Sequence, residues 1–250
     1  MDYNFDELEN TYRESLSTFG IMRDDLLVTQ DNELEACSPQ QITCVVCMDV
    51  LNLLVFETYG CKHQFHIKCA EQIVLSQPKE TFFECPVCKE IQGTKIGNQP
   101  DSGTMTISRS LIDVPGYSGK GAIVVEYDFP NGIQGQHNPH PGMPYYADHF
   151  PRVSYFPATQ RGIKVVRLMK IAFDRRLIFT IGRSATTGMD DAIIWNSIHH
   201  KTKICDSYFG YPDSSYLARV EEELKLVGVV EADLKGATNV VNSMWFKVKH

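Results

Sequence analysis

Cys44-Val45-Val46-Cys47, then Cys61-Lys62-His63-Gln64-Phe65-His66-Ile67-Lys68-Cys69, then Cys85-Pro86-Val87-Cys88 decide how this chain is read. The three clusters give the order C-x2-C-x13-C-x-H-x2-H-x2-C-x15-C-x2-C and hold six of the eight cysteines and two of the eight histidines. Thiolates and imidazoles at these pair spacings suit the closed, four-coordinate geometry of structural zinc, and eight ligands make two such sites with no position open for a catalytic water. A block of about fifty residues buries too little apolar surface to fold alone, whereas structural zinc supplies an apparent ~10–16 kcal/mol. The metal is therefore expected to hold the fold and to do no chemistry. The competing reading, thiols that merely fill a core beside unrelated histidines, has to explain four correct pair spacings at once.

Working outward, 250 residues with 43% hydrophobic and 22% charged content exclude collagen-like, wholly disordered and low-complexity chains and fit one or two compact domains. The longest apolar run, Val50 to Phe56, is far short of the roughly 18 residues of a membrane helix, so no membrane association is expected. The acidic start, Met1-Asp2-Tyr3-Asn4-Phe5-Asp6-Glu7, lacks the basic and apolar regions of a secretory leader, which points to a reducing compartment, cytoplasmic or nuclear. The net charge of −7 is uneven: residues 1–36 carry ten acids against Arg13 and Arg23, which is −8 and leaves +1 for residues 37–250. A nearly neutral body offers no charge footprint for a nucleic-acid backbone.

In the first segment Phe5, Leu8, Tyr12, Leu16 and Phe19 recur at helical spacing with Gly20 as a stop, which predicts one amphipathic helix in a partly disordered acidic arm. Ser38-Pro39 breaks the chain before the cysteine block, and a Gly-, Asn- and Pro-bearing stretch from Gly93 to Gly103 follows it. Domain limits of 1–39, 40–91 and 92–250 follow. In the last region Ala122 to Tyr127 reads as a β-branched strand. Residues 162–176 read as a helix with Ile163, Val166, Met169 and Phe173 on one face, and Leu177 to Ile181 as a short buried strand. A second helix is expected after Tyr211-Pro212-Asp213-Ser214-Ser215, capped by Asp or Ser, with Leu217, Val220, Leu224 and Val227 on one stripe.

Three features of that region invite chemistry, each with a plainer reading beside it. Thr180 to Gly188 is a small, hydroxyl-rich turn whose N–H groups could cradle phosphate, or simply a turn. His199-His200 offers adjacent imidazoles, or one core-facing and one surface-facing ring. Glu221 and Glu223 flank the apolar stripe on opposite sides, and either could be a carboxylate base at its margin; periodicity does not choose, and a solvated acidic helix is the alternative. His137, His140 and His149 are too irregularly spaced to be read as a metal site.

The cysteine block resembles the RING family of the H2 subtype; a PHD finger, with Cys where His63 stands, is the weaker match. The resemblance implies interleaved ligand sets, Cys44, Cys47, His66 and Cys69 on one zinc and Cys61, His63, Cys85 and Cys88 on the other. It also implies a partner, a ubiquitin-charged conjugating enzyme, touched by Val46, Ile73 and Pro86, with Lys89 either bridging enzyme and ubiquitin or standing as a solvated surface lysine. Further on, Gly97-Asn98-Gln99-Pro100, Pro115-Gly116-Tyr117, Gly132-Ile133-Gln134-Gly135, His137 to Gly142, Arg176 to Gly182, Trp195-Asn196 with His199-His200-Lys201-Thr202, and Gly210-Tyr211-Pro212-Asp213 together resemble the Deltex C-terminal domain. The fold class expected is α+β, a small zinc-bound RING followed by a larger mixed domain.

The Deltex resemblance implies binding of ADP-ribose or NAD and transfer of ubiquitin to ADP-ribose or to ADP-ribosylated proteins, in a family associated with Notch signalling. Position by position it makes His199 a ligand contact and Glu223 the general base, places Phe209 at the active site, and surrounds the ligand with Ala185, Thr186, Trp195 and Tyr211. Two positions depart from the family pattern. Phe209 stands where His or Tyr is usual, and Ala185 where Ser is usual. The alternatives are a protein-directed ligase with a disabled nucleotide pocket and a zinc-organised adaptor with no ligase activity; homo- or hetero-oligomers are left open.

Overall fold

A computed structural model describes residues 16, 19–23, 42–51, 55–76, 81–205, 207–236 and 247–248. The chain divides into two compact units, Met1–Lys95 and Ile96–His250. Each has its own apolar core. Mixed helix and strand in both units, with two Cys/His clusters in the first, give the α+β class expected.

The first unit is built on a three-stranded antiparallel sheet in the order β1 (Gly20–Arg23), β2 (Val55–Thr58), β3 (Gln64–His66), followed by helix α1 (Ile67–Leu75) and the hairpin of β4 (Phe82–Glu84) and β5 (Ile91–Gly93). Its core is aromatic. Phe56 and Phe65 pack edge-on against Phe83 at 5.4 and 5.8 Å between centroids. The sequence reading made Gly20 a helix stop in a separate arm; instead Gly20 opens a strand paired with β2, and Leu16 and Phe19 are buried in this core. Gly20 is suited to that register because a Cβ there would meet the Glu57 carbonyl at 2.3 Å and the Phe56 ring at 2.4 Å. The other positions of the expected N-terminal helix, and the Ser38-Pro39 break, lie outside the described residues.

The second unit carries a four-stranded sheet in the order β10-β7-β6-β13, with β6 (Thr104–Ser110), β7 (Ala122–Asp128) and β10 (Arg152–Pro157) antiparallel and β13 (Lys247–Val248) parallel to β6. A short hairpin, β8 (Gly132–Ile133) with β9 (Pro144–Tyr145), and the pair β11 (Phe179–Gly182) with β12 (Ala192–Trp195) complete the strands. Helix α2 (Gln160–Asp174) is capped by the Thr159 hydroxyl, which accepts the Gly162 N–H, and packs against β10 and helix α3 (Tyr216–Leu226); a single turn, α4 (Asp233–Gly236), follows.

The predicted strand at 122–127 and both predicted helices are present, each within a few residues of its expected bounds, and Leu217, Val220, Leu224 and Val227 are buried together. Two details differ. Ile163 is 37% exposed, because the buried face of α2 runs through Gly162, Val165, Val166, Leu168, Met169, Ala172 and Phe173. The strand expected from Leu177 begins at Phe179; Leu177 and Ile178 are buried ahead of it. Nor is Gly93–Gly103 a loose connection throughout. Gly97 donates its N–H to the Arg175 carbonyl at 2.8 Å, and buried Gln99 donates to the Phe173 carbonyl while accepting the Phe179 N–H.

Candidate functional site

Two knuckles of the same shape begin the metal-binding architecture. The Met48 N–H donates to the Cys44 carbonyl and the Lys89 N–H to the Cys85 carbonyl, both at 2.8 Å, and Met48 (φ 66°) and Lys89 (φ 65°) share the left-handed conformation that turns the chain after each Cys-x2-Cys pair. The sheet supplies the remaining donors: Cys61 and His63 precede β3, His66 ends it, and Cys69 sits in the first turn of α1. The result is two clusters, Cys44, Cys47, His66 and Cys69, and Cys61, His63, Cys85 and Cys88, with donor atoms in each within 4.8 Å of one another. Cys47 Sγ lies 3.3 Å from His66 Nδ1 and Cys85 Sγ 3.5 Å from His63 Nδ1. Zn–S near 2.3 Å and Zn–N near 2.0 Å put neighbouring donors of a tetrahedron about 3.5 Å apart, so both clusters fit a zinc ion.

Surrounding groups prepare the donors. His66 Nε2 donates to the Val50 carbonyl at 3.1 Å, which leaves Nδ1 unprotonated and facing the thiols. Burial raises the Cys44 thiol, but hydrogen bonds from the His66, Cys47 and Val46 backbone and from the His66 ring outweigh it and bring it down to about 6. Cys61 is likewise raised by burial and brought down to about 7, chiefly by the Thr58 hydroxyl at 3.0 Å. Burial and the neighbouring thiols push Cys69 and Cys85 up to about 12. A dication relieves this crowding of like groups, since each coordinated thiol is deprotonated outright.

Around the knuckles Ile42, Val45, Val46, Met48 and Val87 are exposed apolar residues. Of the positions singled out for a conjugating enzyme, Val46 is exposed, Pro86 half-buried and Ile73 half-buried against the core, while Lys89 is exposed with its ammonium 3.9 Å from Glu84.

In the second unit the segment after β12 presents two histidines in opposite directions. His200 is buried and stacks on Trp195 at 4.1 Å between centroids; its Nδ1 donates to the Ile198 carbonyl at 2.9 Å and its Nε2 accepts the Tyr127 hydroxyl at 3.1 Å. Burial drops its pKa to about 3. It is a neutral structural ring. His199 points outward with its side chain 71% exposed, and Glu223 of α3, 14% exposed, accepts both its backbone N–H (Oε2, 2.8 Å) and its Nδ1–H (Oε1, 2.6 Å). Periodicity left Glu221 and Glu223 open. The structure separates them: Glu221 is bonded to Arg161 and Lys164, and its carboxyl, raised by burial, is brought below the usual range by those two partners.

The other expected contact residues are spread differently. Ala185 and Thr186 lie exposed on the turn between β11 and β12, closed by the Ser184 carbonyl accepting the Gly188 N–H. Phe209 is 56% exposed beside Tyr208, on a loop held where its carbonyl accepts the Lys203 N–H. Trp195 is half-buried between Phe179, Tyr127 and His200. Tyr211, expected as a wall residue, is 1% exposed: it is a core residue whose hydroxyl donates to the Tyr155 carbonyl. Two further supports escaped the sequence reading. Lys201 reaches Asp213 and the Tyr208 carbonyl, and the Tyr216 hydroxyl donates to the His199 carbonyl while accepting the Lys201 N–H. A Lys beside a His pair carries no spacing signal, so only the fold reveals this bracing.

Residues 96–229 match the family model of the Deltex C-terminal domain. The chain is 44% identical to the E3 ubiquitin-protein ligase DTX1 of Mus musculus over 177 residues, which is 70% of this chain and 28% of that protein. It is 40% identical to the probable E3 ubiquitin-protein ligase DTX3 of Homo sapiens over 201 residues, 79% of this chain and 55% of that one. With the E3 ubiquitin-protein ligase DTX4 of Mus musculus it shares 38% identity over 209 residues, 77% of this chain and 34% of that one. The chain thus spans between about a quarter and about half the length of these relatives. With more than half of its residues matched by that model, the chain belongs to the Deltex family.

Proposed function

We propose that this protein is a RING-type ubiquitin ligase of Deltex type, in which the zinc-bound unit recruits a ubiquitin-charged conjugating enzyme and the Deltex C-terminal domain takes ADP-ribose, or an ADP-ribosylated protein, as acceptor. The observation that carries the ligase reading is the pair of interleaved Cys/His clusters in a chain that also holds a Deltex C-terminal domain. Zinc supplies shape here: the ligands are all spent on the fold, and the exposed Val45, Val46, Met48 and Val87 form an apolar surface suited to a partner. The His199–Glu223 pair supports the acceptor reading, because ester formation on a ribose needs its hydroxyl held near the thioester carbonyl and relieved of its proton. Positioning supplies up to about 7–11 kcal/mol of such a barrier and a placed base about 10²–10⁴-fold in rate.

Incubation of the full chain with activating enzyme, ubiquitin, ATP and a panel of conjugating enzymes tests the first half. Autoubiquitination with at least one of them is expected, and an adaptor would stay unmodified with all. A protein-directed ligase is the second reading, favoured by Phe209, which can stack but donates no hydrogen bond, and by Ala185, which has no hydroxyl. Calorimetric titration with ADP-ribose separates the two: heat of binding supports the nucleotide acceptor, and its absence the protein-directed ligase.

A further inference from the structure

We infer that a cleft in the second unit, between the segments around Asn98 and His137, binds an acidic peptide and seats one of its carboxylate side chains on Arg176. The cleft encloses about 430 Å³, and its lining includes Asn98, Asp101, Ile133, His137, Tyr145 and Arg176. That volume lies in the range of ligand sites. Neither His199 nor Glu223 is among its described lining residues. Its walls draw on stretches that the sequence singles out and that ubiquitin transfer leaves unused: Gly97 to Pro100, Gly132 to Gly135, His137 to Gly142, and Arg176.

These walls are held in place by their own hydrogen bonds. Asn138 staples two of them, its amide donating to the Asn98 carbonyl at 2.7 Å and its Oδ1 accepting the Gly135 N–H at 2.8 Å. Gly97 lies so close to Arg176 that a Cβ there would meet the Arg176 carbonyl oxygen at 2.0 Å, and the Gln99 N–H donates to that same carbonyl at 3.3 Å. On a further side the Ser102 and Tyr145 hydroxyls are 2.9 Å apart and bonded. A preformed site spends little of its contact energy on ordering itself, so a short ligand suffices.

The chemistry of the ligand follows from Arg176. Its backbone is tied into the wall while its side chain stays 36% exposed, and Asp101 Oδ1 sits 2.6 Å from the guanidinium. Asp101 is itself 71% exposed, so the pair is wet and is displaced at little cost. A guanidinium takes a carboxylate through two parallel N–H···O bonds, and an incoming carboxylate replaces that of Asp101 like for like. Phosphate suits the cleft less well. Arg176 is the one Lys or Arg among the described lining residues, and the Asp101 carboxylate beside it repels a dianion. Ile133, 65% exposed, offers the cleft an aliphatic surface, and the exposed Gln136 and His137 bring an amide and an imidazole that can hydrogen-bond a peptide backbone. A segment of a partner protein with Glu or Asp beside an aliphatic residue meets all three features.

The assignment does not depend on ADP-ribose being an acceptor, and NMR titration of the zinc-loaded full chain tests it. The probes are acetyl-Gly-Leu-Glu-Leu-Gly-amide and the same peptide with Gln in place of Glu. The Glu peptide should move the Arg176 Nε–H and Ile133 methyl resonances to saturation, and the Gln peptide should bind about tenfold or more weaker. Asp101→Asn should tighten the Glu peptide roughly two- to fivefold by removing the resident carboxylate. Arg176→Gln should weaken it about tenfold or more with the melting temperature unchanged. The two peptides on the wild type decide the matter even where a variant melts early. Equal binding of both peptides, no response at millimolar peptide, or weaker binding to Asp101→Asn overturns the proposal. So does inorganic phosphate binding more tightly than the Glu peptide, or ADP-ribose displacing that peptide, since the cleft would then belong to a phosphate or to the nucleotide.

Discussion

Asp213 Oδ2 lies 3.0 Å from the ammonium of Lys201, in a pair whose side chains are 18% and 10% exposed. The carboxylate also accepts Arg219 at 2.9 Å and both the hydroxyl and the N–H of Ser215, so it closes the entry to α3 while Lys201 ties down the loop carrying Tyr208 and Phe209. Burial raises the Asp213 carboxyl, yet Arg219, Lys201 and Ser215 outweigh it and hold it well below the usual carboxylate range.

Removing either partner of this pair should have unequal effects. Asp213→Asn strands a nearly buried ammonium and should cost about 3–5 kcal/mol. Lys201→Met leaves Asp213 with Arg219 and Ser215 and should cost less, roughly 1–2 kcal/mol. Thermal melts of both variants check the order. Because the folded Asp213 titrates below its unfolded value, its contribution is complete above the ordinary carboxylate pKa and fades as the pH falls below it, so the melts of the wild type and of Asp213→Asn should approach one another in acid.

Metal removal should act on one unit. The first unit has a small core and two four-ligand clusters, whereas the second has a large core and no Cys/His cluster among the described residues. Elemental analysis should return two zinc equivalents per chain. A strong chelator should melt the first unit and leave the second cooperative, seen as protease resistance of a fragment beginning near Ile96. Cys85→Ser should lose one equivalent and the same protection.

His200 sets a pH dependence of stability. Its folded pKa of about 3 lies below the ordinary imidazole value near 6.5. The unfolded chain therefore takes up a proton first as pH falls, so the stability is complete above about pH 6.5 and is lost between there and about pH 3, at up to roughly 1.4 kcal/mol per pH unit. Urea denaturation of the wild type and of His200→Gln across this window should show the slope flattened in the variant. Equal slopes would place the acid sensitivity elsewhere.

How legible all this was depends on what each residue's neighbours are. The two Cys/His clusters were readable because a zinc site demands a fixed number of donors at short separations, a rule that survives without coordinates. Val220 and Leu224 were readable from helical period, as was the strand at Ala122–Asp128 from its β-branched run. Ile163 was misplaced because a glycine one residue earlier, Gly162, occupies the buried face: its Cβ would meet the Pro157 carbonyl at 2.0 Å, so the helix lies against β10 on its smallest side. Tyr211 was misplaced because a family motif says that a residue matters without saying whether it faces solvent or core. The strand Gly20–Arg23 was hidden because its partner is remote in sequence and its residues carry no alternation. Helical period does not tell Glu223 from Glu221, whereas the family resemblance points to Glu223; across the fold the two meet different partners, His199 and Arg161.

By the family resemblance Phe209, like Ala185, is an exposed position at which this chain carries an unusual residue, and that reading is testable by reversal. The ring is 56% exposed and its loop is held through backbone groups, the Phe209 carbonyl by the Lys203 N–H and the Tyr208 carbonyl by Lys201, so a change at this side chain should leave the loop in place. Phe209→Tyr adds one hydroxyl at the ring edge and keeps the stacking face. A hydrogen bond gained to a charged or partly charged group is worth about 1.5–3 kcal/mol, so ADP-ribose affinity or its rate of ubiquitination should rise by about tenfold or more. The melting temperature should not move, because the added group meets solvent and not the core. Calorimetry with ADP-ribose and single-turnover discharge, run beside the wild type, check both halves; a variant that melts normally and gains nothing would show that the missing hydroxyl is not what limits this site.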